Sequence, residues 1–292
     1  MSERLPPTEE RLTASAGLDL LETRDLVDLL VRDQGDAVAA VRAQSATLVR
    51  VVDAVAERLR LGGRVHYVGA GTSGRLGVLD ASEMPPTFGT PPELICAHIA
   101  GGERALRHAV EGAEDDAEEG ARAMDDHVAP GDVVVGISAS GGARYVVAAL
   151  ERARSIGALT IAITSSDASA LVRAAVEAIV LPTGAEVLSG STRLKAGTAQ
   201  KIALNTLSTA IMVRMGKVHD NLMIDVVATN EKLRARAHRL VRTLTGADDD
   251  RVQAALESAG GSAKVATVML ARSVDAEHAR ALLRSETLRS LL

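Results

Sequence analysis

RVHYVGAGTSGRLGVLDASEMPPTFG, residues 64–89, passes from a short apolar run into a loop of glycines and hydroxyls and then into a segment of helical length. The run Val65 to Val68 has four companions of strand length: Leu94 to Ile99, Val133 to Ile137, Leu159 to Ile163 and Ala178 to Leu181. Each is mostly apolar on both faces, and helix-length segments separate them. Such strands belong to a parallel sheet covered by helices on both sides, so the fold class is α/β, a doubly wound five-stranded parallel sheet. In sheets of this kind ligands sit outside the carboxyl ends of the strands, where loops enter helices.

Upstream, Val38, Val41, Leu48, Val52, Val55 and Leu59 recur at helical spacing and predict one helix from Asp36 to Leu59, stopped by Gly62 and Gly63. A helical arm precedes it. After Asn230, the segments Glu231 to Leu244, Asp248 to Ser258 and Ser262 to Met269 read as three helices split by Gly246 and the Gly260-Gly261 pair. The expected division is a helical N-terminal arm (1–45), a sheet domain (46–230) and a small helical C-terminal domain (231–292).

Hydrophobic residues are 47% and charged residues 24% of the 292, as in a folded globular chain. One Phe, two Tyr and no Trp leave no aromatic platform for bases, and a net charge of -5 gives no broad basic field. Nucleic acid is therefore not an expected partner, and a small molecule is. Cys96 is the only cysteine, which excludes an intramolecular disulfide and a thiolate metal cluster. The seven histidines show neither HxxxH nor HExxH spacing, so His66, His98 and His108 read as core or surface residues, with no metal expected. The chain opens without an apolar signal stretch and contains no run of about 18 apolar residues, which points to a cytoplasmic protein with no membrane contact.

The loop GAGTSGRLG, Gly69 to Gly77, allows close backbone approach to an anion, with Thr72, Ser73 and Arg75 at a helix N-terminus. Its GxGxxG spacing also fits a dinucleotide turn, but no acidic residue ends the next strand to hold a ribose hydroxyl. Hydroxyls between glycines suit a phosphate monoester better. The third strand ends in Ser138-Ala139-Ser140-Gly141-Gly142 and the fourth in Thr164-Ser165-Ser166, which adds Ser138, Ser140 and Gly141 to the candidates. The same loops also read as tight turns with capping serines. Neither Ser73 nor Ser140 lies in GxSxG, the setting of a hydrolase nucleophile.

Five blocks occur in one order: GAGTSGRLGVLDASEMPPTFG, IAGGERALRHAVEGAEDD, VVVGISASGG, EVLSGSTRLKAGTAQKIALN and GKVHDNLMIDVVATNEKL. Together they closely resemble the N-acetylmuramic acid 6-phosphate etherases of the sugar isomerase domain superfamily, from about Thr8 to the C-terminus. The resemblance implies a phosphosugar substrate, a homodimer and no cofactor. It also implies a reaction in cell-wall sugar recycling: N-acetylmuramic acid 6-phosphate plus water gives N-acetylglucosamine 6-phosphate and D-lactate. In the ring-opened sugar the carbon 1 aldehyde acidifies the proton on carbon 2, so a base and an acid suffice to eliminate the lactyl ether from carbon 3.

By resemblance the two functional glutamates are Glu83, which would protonate the departing lactate and then activate water, and Glu114, which would act at or near carbon 2. Pro85 and Pro86 read as a rigid turn that aims Glu83. Arg193, Lys195 and Lys201 read as partners of phosphate or lactate carboxylate, or as surface charges. The stretch Lys195 to Met212 offers an apolar face through Ile202, Leu207 and Ile211 for a dimer contact.

The chain departs from the family pattern in three places. Gly142, Ala143 and Arg144 replace Arg-Thr-Pro, Asp220 replaces a glycine, and Leu12 replaces an asparagine. Two other functions share the superfamily domain: a noncatalytic phosphosugar-binding regulator and an aldose-ketose phosphosugar isomerase. Retention of both glutamates favours the etherase over the regulator.

Overall fold

The computed structural model describes residues 6–225 and 231–292. Residues 1–5 of the expected arm lie outside the described residues, as does the VVATN segment, 226–230, with the expected domain boundary. The chain forms two compact units, Met1–Ala81 with Glu93–Ile211, and Ser82–Pro92 with Met212–Leu292.

The first unit opens with helices α1 (Thr23–Asp33), α2 (Gly35–Ala43) and α3 (Ser45–Arg60). The single helix expected from Asp36 to Leu59 is thus broken at Gln44. There the Ser45 hydroxyl donates to the Arg42 carbonyl at 2.6 Å and competes with the backbone ladder. Val41 and Leu48 are both buried, so the apolar phase crosses the break and periodicity gives no sign of it.

The sheet follows in βα order: β1 (Val65–Gly69), α4 (Gly71–Phe88), β2 (Ile95–Ile99), α5 (Gly102–Arg107), α6 (Ala117–His127), β3 (Val133–Ile137), α7 (Arg144–Ile156), β4 (Leu159–Thr164), α8 (Ala170–Ala174) and β5 (Glu177–Val180). Helix α9 (Lys195–Arg214) closes the unit. All five expected strands are present, parallel, in the order β2-β1-β3-β4-β5. The side chains of Val133, Val134, Ile137, Ile161 and Ile163 are fully buried, as two-sided apolar runs require. Gly69 is level with both Ile99 and Ile137, so the loops after β1, β2 and β3 leave the sheet at one height. The direction of winding reverses at β1, which makes that edge the topological switch point.

The second unit contains a short antiparallel pair, β6 (Val218–His219) and β7 (Leu222–Met223), and helices α10 (Glu231–Thr245), α11 (Asp249–Ser258), α12 (Ala263–Arg272), α13 (Ala276–Ser285) and α14 (Leu288–Leu291). The sequence reading stopped at three helices. The other two were signalled by N-caps, since Asp275 accepts from the His278 N–H and Thr287 from the Ser290 N–H. Ala279, Leu288 and Leu291 complete the core formed by Val241, Val252 and Val268. Asp220, in the β6-β7 turn, has φ +54°, a left-handed conformation that explains the family glycine and that Asp tolerates better than most residues. No helix among the described residues is long and apolar enough to cross a membrane.

A histidine cluster lies within the first unit. His66 Nδ1 is 3.0 Å from His98 Nε2, and His66 Nε2 is 3.3 Å from Asp132 Oδ2, which also accepts from Arg64 at 2.9 Å. Burial would raise the Asp132 carboxyl pKa, but N–H groups of Ala129 and Arg64 hold it below the ordinary range. Burial depresses both imidazoles, His98 to about 4, with the neighbouring His66, His127 and Arg64 adding to the effect. Between pH 6.5 and about 4, His98 is neutral when folded and protonated when unfolded, so the unfolded state binds more protons. Stability should therefore fall as pH drops through that window. Thermal unfolding across it should show a shallower decline for His98→Gln than for the parent; equal declines would contradict the assignment.

Candidate active site

The first turn of α4 sits directly on the end of β1. A Cβ on Gly69 would stand 2.6 Å from the Gly74 nitrogen, and one on Gly74 would stand 2.6 Å from Ile99 Cγ1. Both positions therefore exclude any larger residue. The turn carries half-buried Thr72 and buried Ser73. Gly197 of α9 packs beside Thr72, and the Ser73 hydroxyl donates to Gln200 Oε1 at 2.9 Å.

Arg75, expected to meet an anion, donates instead from Nε to the Ala105 carbonyl at 3.0 Å and from a terminal nitrogen to that of His108 at 3.5 Å. These bonds tie α4 to α5 and to the residue that follows it. A cavity at this edge is lined by Ala70, Gly71, Arg75, Ala105, Val110 and Glu114, among others, and so brings Arg75 and Glu114 together. Glu114 is exposed on the 3-10 turn Ala113–Asp115. Its neighbour Asp116 has a different task, capping α6 by accepting from the Glu119 N–H at 2.9 Å.

The second loop is built differently. Gly141 has φ +71°, and a Cβ there would collide with Ser169. Ser138 Oγ accepts from the Gly141 N–H at 3.1 Å, and Ser140 Oγ accepts from the Gly142 N–H at 3.3 Å. Each serine shapes the turn through its oxygen, while its hydrogen meets no acceptor among the described residues. The capping and anion-binding readings are thus compatible. Arg144, displaced from the family's position, opens α7 and is exposed.

Glu83 is exposed on α4 and is not among the residues lining the Arg75 and Glu114 cavity. The expected rigid turn after it does not form, because α4 continues through Pro85 and Pro86 to Phe88. Each proline lacks the N–H that the helix ladder uses, and the ladder resumes beyond them, with the Gly89 N–H donating to the Pro85 carbonyl at 2.9 Å. The sequence reading missed Asp80, which is buried and accepts from Tyr67 Oη at 3.0 Å, Asn205 Nδ2 at 2.7 Å and Ser208 Oγ at 3.1 Å. Burial, with this carboxylate beside it, pushes the Tyr67 pKa well above its ordinary value. Sequence spacing gave no sign that three polar groups from two other elements converge on Asp80.

Lys195 is neither a ligand residue nor a surface charge. Its ammonium is buried, 2.8 Å from Asp33 and 3.4 Å from Asp36. Burial alone would lower its pKa, but the bond to Asp33 and the two carboxylates raise it. The fully buried Glu186 accepts from the Lys195 and Ala196 N–H groups and caps α9. Burial pushes the Glu186 carboxyl pKa up. Arg193 and Lys201 are exposed. Leu207 and Ile211, expected to face a partner, are buried in the chain's own core because α9 covers the sheet unit, which leaves Ile202 half-buried.

A family model described as SIS domain matches residues 113–210, and one described as glucokinase regulatory protein N-terminal SIS domain matches residues 47–154. A protein from Symbiobacterium thermophilum named N-acetylmuramic acid 6-phosphate etherase is 53% identical over 267 residues, covering 91% of this chain and 89% of that protein. One of the same name from Rubrobacter xylanophilus is 48% identical over 295 residues, 100% of this chain and 98% of that protein. The solved phosphoheptose isomerase of Francisella tularensis shares the fold, with a TM-score of 0.52 at 18% identity over 66% of this chain and 98% of that one.

Because removing one partner of a buried ion pair strands the other, Lys195→Met should destabilise the chain by about 3–5 kcal/mol. Adding Asp33→Leu should recover part of the loss. Denaturant unfolding that finds the single variant as stable as the parent would contradict this.

Proposed function

Because the chain belongs to the N-acetylmuramic acid 6-phosphate etherase family, we infer that it cleaves the lactyl ether of N-acetylmuramic acid 6-phosphate. The products are N-acetylglucosamine 6-phosphate and D-lactate, and the setting is cell-wall amino-sugar recycling. Near-complete coverage of relatives bearing that name at about half identity carries this conclusion.

In the proposed chemistry the open-chain sugar loses its carbon 2 proton to Glu114, and the freed electron pair forms the carbon 2–carbon 3 double bond. The carbon 3–oxygen bond breaks, and Glu83 gives the departing ether oxygen the proton that becomes the lactate hydroxyl. Water activated by Glu83 then adds at carbon 3, and carbon 2 regains a proton. Thr72, Ser73, Ser138, Ser140 and the Gly141 backbone would hold the phosphate. Support for this lies in the undonated hydrogens of Ser138 and Ser140 and in two such loops leaving one sheet edge. Arg75 would act by shaping the cavity that Glu114 lines.

The same reading includes a homodimer in the cytoplasm and the division into arm, phosphosugar domain and helical tail at residues 45 and 230. The outward groove of α9, along Ile202, Thr206, Thr209 and Ala210, is the surface left to a second copy.

Purified protein given the substrate should release D-lactate and N-acetylglucosamine 6-phosphate in equal amounts; isomerised sugar phosphate without lactate would refute the function. Ser73→Ala and Ser140→Ala should each weaken binding roughly tenfold to hundredfold, the cost of losing a donor to an anion. Neither should weaken binding of the unphosphorylated sugar, and equal losses on both ligands would mean that the loops do not hold phosphate.

A further inference from the structure

Gln200 lies on the second turn of α9 and is 1% exposed. Its Oε1 accepts the Ser73 hydroxyl, while its Nε2 is buried without a hydrogen-bond partner among the described residues. A stranded donor of this kind is costly and calls for an explanation. Ser73 meanwhile gives its only hydrogen to Gln200 and has none for an anion. The serines of the second loop are the reverse, accepting from backbone N–H groups and keeping their hydrogens.

A carboxamide turned over has nearly the same shape, with nitrogen and oxygen exchanged. In the turned state Nε2 donates to Ser73 Oγ, and the Ser73 hydrogen is released. We propose that Gln200 is a positioning residue for phosphate recognition, its amide turning to donate to Ser73 so that Ser73 donates to the phosphate. This rests on reading the Ser73 loop as a phosphate site. One Ser73–Gln200 hydrogen bond exists before and after the turn, but without an anion the turned state leaves both Oε1 and the Ser73 hydrogen without a partner. The net gain is a charge-assisted bond to the phosphate, so the anion itself selects the turned state.

The residue type fits this task. An ionised glutamate could only accept, which would hold the Ser73 hydrogen away from the anion, and an apolar residue would leave Ser73 unguided. The position of Gln200 is fixed independently, by the Glu186 cap on α9 and by the close packing of Gly197 on Thr72.

The test is the KM and kcat of the parent, Ser73→Ala, Gln200→Glu and Gln200→Met on N-acetylmuramic acid 6-phosphate, read against pH, with thermal midpoints as a check on folding. Gln200→Glu should raise KM roughly tenfold to hundredfold with kcat changed by less than about threefold. Its KM relative to the parent should grow as pH rises, because only the protonated carboxyl can donate to Ser73. Gln200→Met, with no hydrogen-bonding group, should raise KM by a smaller factor, roughly threefold to tenfold, and should add nothing in the Ser73→Ala background.

Equal KM effects of Glu and Met, a Glu effect that ignores pH, or additive losses in the double variant would each overturn the proposal while leaving the loop reading intact. If Gln200→Glu does not fold, the Met double variant decides alone. A Ser73→Ala protein with the parent's selectivity for phosphorylated sugar would overturn the loop reading, and the proposal with it.

Discussion

The first turn of α4 rests on the end of β1 only because neither Gly69 nor Gly74 carries a side chain. A methyl group on either would force strand and helix apart, and the hydroxyls of Thr72 and Ser73 would leave the sheet edge with the helix. The remaining contacts of α4 in the first unit maintain that approach. Asp80 gathers Tyr67 from β1 with Asn205 and Ser208 from α9, and Arg75 draws α5 against the same turn. The site edge is thus held by a close backbone contact and by buried hydrogen bonds, with few aromatic side chains to help.

Buried polar groups carry an unusual share of this arrangement. Glu186 and Lys195 are both buried where α9 begins, and Asp33 brings the N-terminal arm to the same place. Each is expensive to desolvate and is retained only with its partners, so the network specifies position more than it adds stability. That specificity matters for α9, which must present Gly197 to Thr72 and Gln200 to Ser73 at once.

The strands were legible because burial on both faces leaves a continuous apolar run that few other settings produce. The break at Gln44 was not, since the apolar phase of α2 continues into α3. Pro85 and Pro86 misled because proline is strongly excluded from helix interiors, yet α4 continues through both. The glycine and hydroxyl loops were visible as candidates, because glycine spacing records close approach. What each hydroxyl does was not visible, since the partner of Ser73, Gln200, is 127 residues away in sequence, whereas Ser138 and Ser140 accept within their own turn. Lys195 read as a partner of an anion or as a surface charge, because nothing local reveals that it pairs with Asp33, 162 residues away in sequence. The two glutamates were found by resemblance alone, and the structure adds that Asp116 is committed to capping α6 while Glu114 lines a cavity.

In the proposed chemistry Glu114 works on the carbon 2 proton and Glu83 on the ether oxygen, so the two should fail at different steps. The most direct test follows deuterium uptake at carbon 2 together with D-lactate release, in deuterated water and over a range of pH, for Glu83→Gln and Glu114→Gln. Glu83→Gln should keep the exchange while lactate release falls by roughly the 10²–10⁴-fold expected on losing a general acid, and Glu114→Gln should lose both. Near-parental lactate release by Glu83→Gln would contradict the mechanism, and exchange lost in Glu83→Gln but kept in Glu114→Gln would reverse the two roles.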